Sequence, residues 1–165
     1  MVTALFAVAL VVRIQGDAGS DSAIVARNQV ASAGANGAAA LLSYDYRSVN
    51  DVVATNQRLL TTTCAAGYAA QIDGGVKAQV IANKVVVATQ VRAAAVQSID
   101  ADGAVVLVVV DEKRTGTDLA APQSSQLAVS VGLVRDGGRW LVSDVVPAGT
   151  TSETAGGSAA AHPCS

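Results

Sequence analysis

The stretch LLSYDYRSVNDV at residues 41–52 sets a carboxylate, Asp45, between two phenols, Tyr44 and Tyr46. A carboxylate that takes a proton and a phenol that polarises a carbonyl make an isomerase-like pair, provided both point into one apolar cavity. Asp111 and Asp144 are alternative bases, and Tyr68 is the remaining phenol. Other chemistries lack their residues. The single histidine, His162, lies near the chain end, so a Ser-His-Asp or Cys-His arrangement would have to recruit it from a Gly/Ala/Ser-rich tail. No G-x-S-x-G, P-loop, G-x-G-x-x-G or H-E-x-x-H string occurs. Cys64 and Cys164 have no metal-ligand spacing, and His162 with Cys164 supplies only two donors. In an exported domain the two cysteines fit a disulfide instead.

A structural role competes for each of these residues. Asp45 precedes a helix break and has Arg47 two positions on, so it suits a corner, bonding a backbone N–H or a strand residue. Tyr46 continues the spacing of Leu42 and reads as core or rim. Asp144 falls on the Trp140/Val142 face by strand alternation, and Asp111-Glu112-Lys113-Arg114 reads as a solvated, mixed-charge strand end.

The elements that must position these groups follow from periodicity. Residues 21–46 repeat small and apolar side chains at threes and fours, a helix whose Gly34 and Gly37 would let another helix come close. Ser48-Val49-Asn50-Asp51 has capping-box form and starts a second helix through Val52, Val53, Asn56 and Leu60. Thr61-Thr62-Thr63-Cys64 is a corner. A third helix follows through Ala65, Ala69, Ile72, Val76 and Val80, with Gly74-Gly75 as a kink. From residue 84 the period becomes two and the residues β-branched. Strands are expected at 84–99, 104–111, 126–135 and 139–146, with a loop at 113–124 and a hairpin turn at Asp136-Gly137-Gly138. The 104–111 run, AVVLVVVD, lacks polar alternation and should be covered on both faces. Helices followed by antiparallel strands make an α+β domain over 21–147. Trp140 is expected to plug the open end of the sheet.

The chain has 165 residues, 51% hydrophobic but only 3% aromatic, so one aliphatic core is expected. With a net charge of −2 and no basic stripe, a nucleic-acid partner is not expected. Residues 1–12, MVTALFAVALVV, would span about 18 Å as a helix, short of the ~30 Å bilayer core. They read as a short or truncated membrane-anchor helix that contacts lipid. Residues 13–20 read as a connector, and 148–165 as a disordered tail.

Two strings carry a resemblance. Leu41-Leu42-Ser43-Tyr44-Asp45-Tyr46 near the front and Gly138-x-Trp140-Leu141-Val142-x-Asp144-x-x-Pro147 at the close, with NKVVVATQV and AVVLVVVD between them, resemble the Mce-associated membrane proteins of actinobacteria over residues 38–147. The resemblance implies a nuclear-transport-factor-like cone, three helices cupped by a curved antiparallel sheet. That cone is similar to the scaffold domain of type IV secretion systems. It further implies a single-pass protein of the cell membrane with its C-terminal domain outside the cytoplasm. The function implied is a non-enzymatic accessory subunit, without cofactor, of an Mce-type lipid or sterol importer. Partners would be the Mce complex, other envelope proteins, or a second copy. The chain departs from the family at Thr63-Cys64-Ala65-Ala66, where a Thr-Gly pair and an aromatic are usual; here the aromatic comes at Tyr68. The alternatives are an isomerase-like or small apolar-ligand-binding cone, and a scaffold subunit of another envelope machine.

Overall fold

The computed structural model describes residues 3–148 and residue 164, with side chains of the first helix described from Asp21 onward. Helix α1 (Thr3–Leu42) leads into the short strand β1 (Tyr44–Asp45). Helix α2 (Val49–Asn56) follows, extended by a 3-10 turn at Gln57–Leu59. Helix α3 (Thr62–Gln71) passes through a π-helical turn at Ile72–Val76 into α4 (Lys77–Ala82). Strands β2 (Val86–Ile99), β3 (Gly103–Thr115), β4 (Gln123–Asp136) and β5 (Arg139–Pro147) complete the chain. The five strands form one antiparallel sheet in sequence order. Bulges at Val91/Ala93, Val96/Ser98 and Gly132/Leu133 bend it around the helices. This is the expected α+β layout. The third helix is interrupted where Gly74-Gly75 falls.

The inner row of β3, Ala104, Val106, Val108 and Val110, is buried and faces Leu133, Val131, Val129 and Leu127 of β4 across the ladder. Helix α1 lies on this row through Val30, Ala38 and Leu41. Its small residues admit the sheet rather than a second helix: a Cβ on Gly34 would meet Val106 Cβ at 2.7 Å, and one on Gly37 would meet Val142 Cγ2 at 2.5 Å. A satellite cluster of Val49, Val80, Val85 and Val87 joins α2, α4 and β2. The hairpin turn holds Gly137 and Gly138 at φ 54° and 83°, conformations that glycine adopts without a Cβ penalty.

Several local expectations change. Helix α1 ends at Leu42, not Tyr46, because Tyr44 and Asp45 pair with Val87 and Val86 as a strand. Backbone helix also runs through 13–20, the stretch read as a connector. Among the described residues no helix is long and apolar enough to cross a membrane, and the side chains of residues 1–12, expected as an anchor, lie outside the described residues. Ser48 is the N-cap of α2, but its hydroxyl makes no cap bond; its backbone carbonyl accepts from the Asp51 N–H at 2.9 Å. With ψ at 10° it lies outside the extended region that aims a capping oxygen at the helix. Thr61 caps α3 with its side chain, accepting from the Cys64 N–H at 3.4 Å. Only one face of the AVVLVVVD run is closed: Val105, Leu107 and Val109 are half-exposed. Strand β3 continues to Thr115, so the expected 113–124 loop shrinks to 116–122. The tail at 148–165 lies outside the described residues, except Ala148 and Cys164.

Candidate functional site

Beyond Val110 the inner row of β3 turns polar, and the helices no longer cover it. Glu112 and Arg114 occupy the next two inward positions, opposite Ser125 and Gln123 of β4. On β2 their partners are Thr89 and Val87, and Val87 in turn pairs with Tyr44 of β1. A cleft of about 760 Å³ opens here. Leu41, Ile72, Val76, Val129 and Val145 form its apolar wall, and Leu127 stands in it 38% exposed. Tyr44, Glu112, Arg114 and the 123–125 segment supply the polar mouth.

The electrostatics of the mouth follow from partial burial. Burial pushes the Tyr44 phenol up; Arg114 pulls it down and Glu112 raises it again. Burial also raises the Glu112 carboxyl, and among the described residues no side-chain hydrogen bond or salt bridge is made to Glu112. Arg114 Nη2 donates to Asp118 Oδ2 at 2.6 Å. Tyr68 lines the inner end, its phenol pushed up by burial and eased down by Asn56. Asn56 is buried; its Nδ2 donates to the Ala40 carbonyl at 2.9 Å and to Tyr68 Oη at 3.1 Å. That side chain fastens α2 to α1 and α3, and the hydrogen bonds offset the cost of burying an amide.

The expected carboxylates do not converge on this cleft. Asp45 is turned outward and clamped by Arg47. Its Oδ1 accepts the Arg47 backbone N–H and Nε, both at 2.9 Å, and its Oδ2 pairs with Nη2. These hydrogen bonds hold its carboxyl at about 2, well below the usual carboxylate range. Asp111 accepts from Gln126 at 2.9 Å and from Arg92 at 2.5 Å, which lowers its carboxyl too. Asp144 pairs with Gly132 after a bulge, so it leaves the row shared by Trp140 and Val142; simple alternation had placed all three together. Trp140 is half-buried against the core, with Arg135 over its ring at 5.8 Å. It sits by the β4–β5 hairpin, at the opposite end of the strands from the cleft, and plugs nothing there.

Of the sequence motif, Leu41, Leu42, Tyr44 and Pro147 line the cleft. Tyr46 packs on the satellite cluster, with Arg47 over its ring at 5.7 Å. Cys64 is buried on α3 and joined to Cys164 in a disulfide. Glu112 and Arg114 belong to the 111–114 run expected to be a solvated strand end, because Asp111 and Lys113 beside them make it look uniformly solvated. The signal was present: 106, 108, 110, 112 and 114 share one parity.

Helices laid across one face of a bent, five-stranded antiparallel sheet, with a cleft left open at one end, define an α+β cone domain. The chain is similar in fold to an IcmL-like type IV secretion system protein from Legionella pneumophila. The TM-score is 0.61 at 13% identity, over 76% of this chain and 95% of that one. No protein-family model matches the chain, and no curated protein does.

Proposed function

We propose that this chain is a non-enzymatic scaffold or accessory subunit of a membrane-bound envelope machine, and specifically of an Mce-type lipid importer. The observation that carries the reading is the likeness of fold to the IcmL-like secretion protein, which extends over nearly all of that chain. The motif strings at 41–46 and 138–147 favour the lipid importer within that class. The Cys64–Cys164 disulfide fits a domain that works on the oxidising side of the membrane. Asp45, the carboxylate the sequence offers first for an isomerase pair, is held by Arg47 outside the cleft.

The test is made in the native host. A tagged copy purified in mild detergent should bring down importer subunits, and deletion of the gene should lower their levels and lipid uptake. Unchanged levels and uptake would remove the importer reading. Copurification with secretion components instead would assign the scaffold to another machine.

A further inference from the structure

The cleft is built differently from the rest of the core. Elsewhere the inner face of the sheet is filled by α1 and α3, and most of the largest buried side chains sit there. At the cleft the same face is left uncovered, and a leucine stands open within it. A volume of about 760 Å³ lies within the range of small-molecule sites, which are mostly apolar with a few placed polar groups.

We propose that the cleft binds a neutral amphiphile: a long apolar body that lies on the Leu41, Ile72, Val129 and Val145 wall, with a single hydroxyl held at the mouth between Glu112 and Tyr44. The choice of head group rests on charge and hydrogen-bond complementarity. Glu112 carries an acceptor with no partner among the described side chains, while the cation beside it, Arg114, is already engaged by Asp118. A carboxylate ligand would meet Glu112 with its counter-ion spent, a like-charge contact in a half-buried site. A hydroxyl both donates and accepts. It can give its proton to Glu112 and take one from the Tyr44 phenol, which lies close enough to both charged groups to feel them. A pure hydrocarbon would leave Glu112 and Tyr44 desolvated and unpaired, which costs more than it gains. The site does not depend on the assembly role, because every group in it belongs to this chain.

The purified full chain is titrated with N-phenylnaphthylamine, whose fluorescence rises in apolar sites, and the reporter is then displaced. Dodecanol should displace it, while dodecyl methyl ether, which cannot donate, and dodecanoate below its micelle threshold should each need about tenfold more. Glu112→Ala should narrow the gap between alcohol and ether. Leu127→Trp, at an exposed position, should fill the cleft and abolish binding without lowering the unfolding temperature. Dodecanoate equal to or better than dodecanol would overturn the head-group assignment. Parent-like binding by Leu127→Trp, or no reporter binding at all, would overturn the site.

Discussion

Replacing Gly37 with alanine probes the seating of α1 on the sheet through a single atom. The new Cβ would meet Val142 Cγ2 at 2.5 Å but Val142 Cβ at 3.9 Å. Carbon atoms pack best at about 3.5–4.0 Å, so one methyl carries nearly all of the clash. Val142 is 2% exposed, and its carbonyl accepts from the Thr61 N–H at 2.9 Å, which ties the strand in place. Overpacking of this kind costs about 1–3 kcal/mol, and removing a helical glycine returns about 1 kcal/mol. Gly37→Ala should therefore destabilise by about 0–2 kcal/mol. Val142→Ala alone removes two methyls from a filled core, costing about 2–3 kcal/mol with the cavity included. In the double variant the offending methyl is gone, the helix gain is kept, and the new Cβ fills part of the void. It should lie only about 1–2 kcal/mol below the parent, above Val142→Ala alone, with a coupling of about 2 kcal/mol. Urea unfolding of the four proteins, followed by far-UV circular dichroism, measures this. Additivity within about 0.5 kcal/mol would refute the close approach of helix and strand.

Three further outcomes are expected. The disulfide joins residues 100 apart, so Cys64→Ser with Cys164→Ser should lower the unfolding free energy by about 2–5 kcal/mol under non-reducing conditions; an unchanged urea midpoint counts against it. Asp45 titrates at about 2 in the folded chain, below its ordinary 3.8, so its contribution is present above the ordinary value and fades as pH falls towards 2. Asp45→Asn should then lower the melting temperature at neutral pH, less so in high salt, and match the parent in strong acid; a gap constant with pH rules the clamp out. Glu112 is raised by burial, so its charged form is disfavoured in the fold and costs stability as pH climbs past the carboxylate range. Glu112→Gln should raise the melting temperature at about pH 7 but not at about pH 3, and the reverse pattern would place Glu112 in an ion pair.

Element type and order were legible because the period changes from threes and fours to twos near residue 84, and no long-range contact is needed to see it. Element ends were less legible. Tyr44 and Asp45 look helical beside Leu42, and only pairing with Val86 and Val87, forty residues on, makes them a strand. Gly132 hints at a bulge, but the extra residue, Ser143, lies on β5, where nothing in RWLVSDVV marks it, so simple alternation puts Asp144 in the wrong row. The cleft was the hardest feature to foresee. It arises where the helices stop short of the sheet, a matter of relative length in three dimensions, whereas the composition of the 111–114 segment suggests only a solvated end. Asn56 was placed on the correct helical face, but its bonds to Ala40 and Tyr68 need the packed fold.

The disulfide also decides how the molecule would carry tension. Residues 64–164 form a covalently closed ring that contains α4 and strands β2 to β5. A pull applied before Cys64 and after Cys164 leaves the backbone at Cys64, crosses the sulfurs to Cys164, and bypasses the backbone of β2 to β5. While the cysteines stay paired, the covalent path misses strands β2 to β5, and the 99 residues between the cysteines add nothing to the length of the tether. Reduction would release them, at about 3.3–3.6 Å per residue when fully drawn out, roughly 350 Å of slack. The redox state of the two cysteines would thus set how far the segments on either side of the ring can be drawn apart.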